Sequence, residues 1–334
     1  MKILFYDIKK FELDYLSKNK LMENEVYFFQ NPINDSLRID EKYLDCEALS
    51  VFVSSQLDNK TLSKFKNLKY IFLRSVGYSN VDLAYCKNNN IFVFNAPNYG
   101  NSTVAEYVFS LLLTLSKKIL KAQNSLLNGE INHDDLRGIE LFSKTMGVIG
   151  VGAIGRKVIN IAHGFGMEVL AYDVYKNGAY NFVELDELLK KSDFISINCP
   201  LNDSTRNLID KIAISKMKRN AILINTARGE IVDSEALFYA LIEKRIKGAA
   251  LDVVECEEYL CHNWKKCNKN SQMKSFCLKK FFFIRKLLRL PNVLITPHNA
   301  YNTKEAQKRI LDIVLENINS SFDIKSGAKN LVLL

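Results

Sequence analysis

The sequence lacks any apolar run near the roughly 18 residues that a membrane-spanning helix needs. Its start, Met1-Lys2-Ile3-Leu4-Phe5-Tyr6-Asp7, has no long apolar stretch with a cleavage site and reads as a first strand rather than a signal peptide. A soluble, cytoplasmic protein is the expectation, with no membrane partner. Cysteine is present as an odd seven without repeated pair spacing, which argues against a disulfide framework and for reduced thiols. Cys261, Cys267 and Cys277 lie near His262, but their spacing matches no zinc pattern, so no metal is expected.

Acidic residues are absent from 259 to 290, while nine residues there are Lys or Arg, which equals the whole net charge of +9. Basic charge confined to one segment, with no recognition motif beside it, reads as a solvated surface and not as a nucleic-acid groove. Proline and glycine are scarce too, at 5 and 14 of 334 residues. Four of those glycines fall between Gly147 and Gly155, so that stretch demands an unusual backbone.

What is present is an alternation of short apolar runs with amphipathic stretches, the pattern of parallel sheets with crossover helices. The pattern predicts strands over 2–6, 48–53, 70–74 and 91–94, then over 145–149, 168–172, 194–197, 221–226, 249–254 and 293–296. A helix is predicted over 103–122. Its first half is apolar on nearly every side, as in a helix packed between domains or against a second subunit. A terminal helix is expected over 303–322. The fold class is therefore α/β: two doubly wound parallel-sheet domains, with a central Rossmann domain (101–298) inserted in a smaller flavodoxin-like one (1–100 and 299–334).

Gly150-Val151-Gly152-Ala153-Ile154-Gly155 fits G-x-G-x-x-G between an apolar strand and a helix, the context that a dinucleotide-binding turn requires. There the backbone amides of Ala153 and Ile154 would face a pyrophosphate at a helix N-terminus. Asp173 follows the next strand, where a carboxylate accepts both ribose hydroxyls and repels a 2′-phosphate; this favours NAD over NADP. A methyltransferase could share the turn and the acid, but it would not need the downstream residues that follow.

Reduction of a 2-keto acid beside such a cofactor needs a cation for the carboxylate and an acid for the developing alkoxide. Arg228 ends the strand over 221–226 and has the planar fork for a carboxylate. His298 ends the last strand, whereas His133 sits in a polar loop and His163 inside a helix. Glu257 follows the strand over 249–254, with Glu255 and Glu258 as neighbouring competitors.

With these residues in order, the chain resembles the D-isomer-specific 2-hydroxyacid dehydrogenases over nearly its whole length. The matching stretches are 148–155, 224–233 (Ile-Asn-Thr-Ala-Arg-Gly-Glu-Ile-Val-Asp), 248–257 and 291–300 (Pro-Asn-Val-Leu-Ile-Thr-Pro-His-Asn-Ala). The resemblance places the family's essential Arg at Arg228 and its His at His298. Its Glu lies five residues after Asp252, which selects Glu257. The resemblance further implies cofactor contacts at Cys199, Pro200, Thr205, Thr226, Ala227 and Asp252, the last to the nicotinamide amide. It implies substrate contacts at Val76, Gly77 and Tyr99, and a homodimer. The long stretch between Glu257 and Pro291 is similar to the D-lactate dehydrogenase branch, implying pyruvate and NADH to D-lactate and NAD. An enzyme of the D-2-hydroxyisocaproate type remains an alternative. So does, from another class, an NAD-regulated binding scaffold like the C-terminal-binding-protein corepressors. Asn299 and Asn302 depart from the pattern beside the expected site.

Overall fold

The computed structural model describes residues 1–19, 24–257, 275–321 and 329–333. The chain divides into two compact units, Met1–Tyr99 with Thr303–Leu334, and Gly100–Asn302.

In the first unit, β1 (Lys2–Phe5), β2 (Glu25–Phe28), β3 (Ala48–Val51), β4 (Tyr70–Leu73) and β5 (Phe92–Phe94) are parallel, in the order β5-β4-β3-β1-β2. That is the flavodoxin-like order. Strand residues alternate between two cores, as a pleat with period two requires. Leu4, Leu49, Val51, Ile71 and Leu73 face one core. Ile3, Phe5, Ala48 and Phe72 face the other, against Ile310, Leu311, Val314 and Ile318 of the helix Lys304–Ser320. Two strands were not visible in the pattern. β2 is a half-exposed edge strand opened by Glu25, with no clean alternation. Leu331–Leu333 pairs antiparallel with β5 at the opposite edge.

In the second unit, β6 (Thr145–Ile149), β7 (Glu168–Tyr172), β8 (Phe194–Ile197), β9 (Ile222–Asn225), β10 (Gly248–Leu251) and β11 (Val293–Ile295) form an all-parallel sheet. Its order is β11-β10-β9-β8-β6-β7. Chain direction across the sheet therefore reverses at β6, and the crevice beyond the carboxyl ends of β6 and β8 is the switch point where ligands bind in such sheets. Buried apolar residues cover both faces.

The helix expected over 103–122 is two helices, Asn101–Ser116 and Ile119–Leu127. Between them Lys118 is left-handed, at φ 54°. The cause is tertiary. The Ser116 carbonyl accepts the amide of Ile139 at 2.8 Å, and Gly138 lies against Ser116 so closely that a β-carbon there would come within 2.6 Å of the Ser116 oxygen. A carbonyl taken up by a crossing segment no longer serves the next helical turn.

Candidate active site

The glycine turn lies beyond the carboxyl end of β6. Gly150 has φ +90°, and a β-carbon on it would collide with the backbone of Cys199 beyond β8 at 2.5 Å. Gly155 presses its helix onto the turn, since a β-carbon there would overlap the Gly150 oxygen. Gly152 differs: nothing lies within 4 Å of its would-be β-carbon, so its backbone faces open space. It also caps the helix Ala153–Gly164 with no side chain bonded to the first amides, which leaves Ala153 and Ile154 at a bare helix N-terminus. Such an end attracts phosphate oxygens through free N–H groups and the helix dipole. Asp173, directly after β7, accepts the amides of Val151 (2.6 Å) and Tyr175 (2.9 Å), which brings its carboxylate to the glycine turn.

The loop after β8 is closed on itself: Thr205 donates to the Pro200 carbonyl at 2.7 Å and accepts the Asn202 amide at 2.8 Å. Burial raises the Cys199 thiol to about 11, so it stays protonated near neutral pH. After β9, the hydroxyl of Thr226 is buried and has no hydrogen-bond partner among the described residues. An orphaned buried hydroxyl is the exception in proteins. With the open Gly152 backbone and the uncapped helix, it fits a site completed by a bound dinucleotide.

The three candidate catalytic groups stand beyond three adjacent strands, β9, β10 and β11. Asn225 shapes the first turn, accepting the Ala227 amide (3.0 Å) and donating to the Arg228 carbonyl (2.8 Å). The Arg228 guanidinium donates to the Ala227 carbonyl at 2.6 Å and forms no ion pair with the described residues. Gly229, the next residue, packs onto the Val254–Glu255 peptide with no room for a β-carbon, which would fall 2.0 Å from the Val254 carbonyl carbon. The Arg228 turn and the Glu257 turn are thereby in backbone contact.

His298 is held by Asp252, which is 1% exposed. The Asp252 carboxylate accepts the Thr296 hydroxyl (2.5 Å) and the amides of Asn299 and Ala300 (both 2.8 Å). Its carbonyl accepts the His298 amide at 2.8 Å. His298 itself is left-handed, at φ 48°. A residue forced into that region by its surroundings often marks a functional site.

The imidazole Nδ1 of His298 lies 2.7 Å from Oε1 of Glu257. Burial works against a charged imidazolium, but the hydrogen bond and negative charge of Glu257, joined by the charge of Asp252, outweigh it. The His298 pKa therefore lies above its ordinary 6.5, with the positive charge of Arg228 pulling it part of the way back.

In the first unit, Val76 and Gly77 follow β4 and Tyr99 lies past β5, the neighbouring strand. The loop is fixed by Ser75 donating to the Gly77 carbonyl (2.7 Å) and Asn95 to the Val76 carbonyl (2.8 Å). Arg309 donates to the Tyr99 carbonyl at 2.7 Å.

Several residues of the site went unread in the sequence. Asn225 ends the buried strand β9 and Thr296 directly follows the half-buried β11, and that position at a strand end was the available signal. Cys256 and Cys277 form a disulfide, with Cα atoms 5.7 Å apart. This corrects the expectation of reduced thiols throughout; a separation of 21 residues in sequence says nothing about adjacency in space. Cys46, Cys86 and Cys199 are free. Of the residues weighed as metal ligands, Cys261, His262 and Cys267 lie outside the described residues, as does Glu258, while Cys277 belongs to the disulfide.

The profile of a family described as D-isomer specific 2-hydroxyacid dehydrogenase, NAD binding domain, matches residues 109–300. A D-lactate dehydrogenase of Curvularia clavata, kk1H, is 34% identical over 330 residues, covering 96% of this chain and 92% of its own. An aromatic 2-oxoacid reductase of Clostridium sporogenes is 35% identical over 339 residues, covering 99% and 98%. Among solved structures, D-lactate dehydrogenase from Aquifex aeolicus, complexed with NAD and lactic acid, matches with a TM-score of 0.84 at 33% identity over 99% of both chains.

Proposed function

Because the chain belongs to the D-isomer-specific 2-hydroxyacid dehydrogenase family, a family of NAD-dependent oxidoreductases, we propose that it reduces pyruvate to D-lactate through Arg228, Glu257 and His298. The observation that carries the reading is the 2.7 Å Glu257–His298 bond, formed beyond adjacent strand ends beside Arg228. When bound, the reduced nicotinamide supplies a hydride to the keto carbon. Arg228, unpaired with any described acid, holds negative charge on the substrate. Glu257 engages Nδ1 of His298 and favours its charged form, so the opposite ring nitrogen, Nε2, donates the proton that turns the carbonyl oxygen into a hydroxyl. Solvent then returns a proton to His298. In the oxidative direction the neutral imidazole takes the hydroxyl proton.

The proposal places the pyrophosphate at Gly150, Gly152, Ala153, Ile154 and Gly155, and the adenine ribose at Asp173. Cys199, Pro200, Thr205, Thr226, Ala227 and Asp252 line the rest of the cofactor. The resemblance assigns substrate contact to Val76, Gly77 and Tyr99. The proposed setting is a homodimer in the cytoplasm. No helix among the described residues is long and apolar enough to cross a membrane. An exposed apolar stripe on the helix Ile119–Leu127, formed by Ile119, Leu120, Leu126 and Leu127, supports the dimer.

NADH oxidation with a panel of 2-keto acids tests the reading. Pyruvate is expected to turn over fastest, and His298→Ala to lose about 10²–10⁴-fold in rate while retaining NADH affinity. Faster turnover of a branched or aromatic 2-keto acid would reassign the substrate. No turnover of any would point to a binding scaffold.

A further inference from the structure

We propose that Lys280 is a positioning residue for this chemistry: its buried ammonium clamps the turn bearing Glu257 to the segment bearing Arg228, keeping Glu257 within reach of His298. The inference rests on the roles given to those three residues above.

Lys280 lies on the helix Ser275–Leu287 and is only 8% exposed. Its Nζ is 2.9 Å from Asp233 Oδ1 and 3.0 Å from Glu255 Oε1. Asp233 sits five residues past Arg228, across the short turn Gly229–Ile231, and caps the helix Ser234–Ile242 through the Glu235 amide at 3.0 Å. Glu255, 2% exposed, sits two residues before Glu257, and its second oxygen accepts the Ser234 amide at 2.9 Å. The Arg228 and Glu257 carriers are thus joined three times: by Lys280, by the Ser234–Glu255 bond, and by Gly229 on the Val254–Glu255 peptide. Cys277, one helical turn before Lys280, is bonded to Cys256, so the same helix grips the Glu257 turn at a second point.

The charges in this cluster persist. Burial opposes the Lys280 ammonium, yet its two carboxylates hold its pKa above the ordinary value. Burial likewise opposes the Asp233 carboxylate, and Lys280 holds its pKa below the ordinary one. Removing the cation would leave the buried Glu255 carboxylate, and the partly exposed Asp233 beside it, without their shared counter-charge, a larger disturbance than losing a fully exposed ion pair. Cys256, between Glu255 and Glu257, is left-handed at φ 54°, which turns the two carboxylates to different tasks. Glu255 goes inward to Lys280, and Glu257 goes to His298. If Glu255 is released, that division has no anchor.

Three variants decide the matter: Lys280→Met, Glu255→Gln and the conservative Lys280→Arg. Each is assayed for kcat against pH with the best 2-keto acid, for NADH affinity, and for thermal unfolding. Lys280→Met and Glu255→Gln are expected to lose about tenfold or more in kcat, since a misplacement of about 1 Å is already costly. Their alkaline fall in reduction should move to lower pH, with NADH affinity unchanged. Lys280→Arg should restore most of both. Folded variants whose kcat stays within twofold and whose pH profile does not move would overturn the inference, leaving Lys280 a stabilising residue only. Should Lys280→Met fail to fold, Glu255→Gln, which keeps the volume but removes the charge that Lys280 grips, decides by the same readings. A wild-type protein inactive on every 2-keto acid overturns the functional reading itself, whereas variants equal to an active wild type overturn only the role of Lys280.

Discussion

A carboxylate and an imidazole 2.7 Å apart share one proton balance, and Arg228 modifies it from the other side. The His298 pKa is raised, so the imidazolium needed for reduction is present below that raised value and lost as pH rises through it. Reduction is therefore expected to fall on the alkaline side, and oxidation to gain there. In Glu257→Gln the main compensation for burial is gone, and the fall should begin at lower pH. A pH–rate series on the wild type and this variant checks it; coincident profiles would show that Glu257 does not govern the proton on His298. At the same scale, three nearby acids divide their work by orientation. Asp252, read in sequence as a nicotinamide contact, has its carboxylate engaged by Thr296, Asn299 and Ala300. By local pattern Glu255 and Glu257 are alike as neighbours in a charged loop, and only the spacing from Asp252 in the family resemblance selected Glu257; the two flank Cys256, a left-handed residue.

Among the elements, the parallel sheet of the second unit does the positioning. Parallel strands deliver their carboxyl ends to one edge, so turns separated by tens of residues meet there. β9, β10 and β11 are hydrogen-bonded neighbours, and their turns carry Arg228, Glu257 and His298. Backbone contact at Gly229 is the tightest of these meetings. Gly229→Ala must displace the Val254–Glu255 peptide, and overpacking of this kind typically costs about 1–3 kcal/mol. The expected outcome is a lower melting temperature together with a loss of kcat larger than that loss of stability explains, read by calorimetry and turnover on one preparation. A variant with wild-type melting and turnover would show that the two turns are not mechanically linked. The break at Lys118 belongs to this scale too: helical periodicity runs through it, and only the crossing of Gly138 and Ile139 ends the helix.

For the whole molecule, exposed apolar side chains bear on the proposed homodimer. Leu126 is 67% exposed, Leu127 75% and Phe142 65%, with Ile119, Leu120 and Ile131 also exposed. Ile119, Leu120, Leu126 and Leu127 recur at helical spacing on the helix Ile119–Leu127, and exposed apolar residues gathered on one helix face often mark an interface. Sedimentation is expected to give twice the mass of a single chain, and Leu126→Asp with Leu127→Asp to give monomers. A wild type that sediments as a monomer at micromolar concentration would remove the dimer.

The order of motifs along the chain determined a good deal by itself. Alternation of apolar runs specified parallel α/β sheets, because period and burial are local properties of a strand. The glycine turn and Asp173 pointed to a dinucleotide site, because strand, tight turn and helix follow one another without a gap. Tertiary structure alone decided that Cys256 meets Cys277 and that a lysine from a basic, solvated-looking segment is buried against two carboxylates, one of them Glu255. Those are juxtapositions of residues distant in sequence, and their energies depend on burial and direction, which no local pattern encodes.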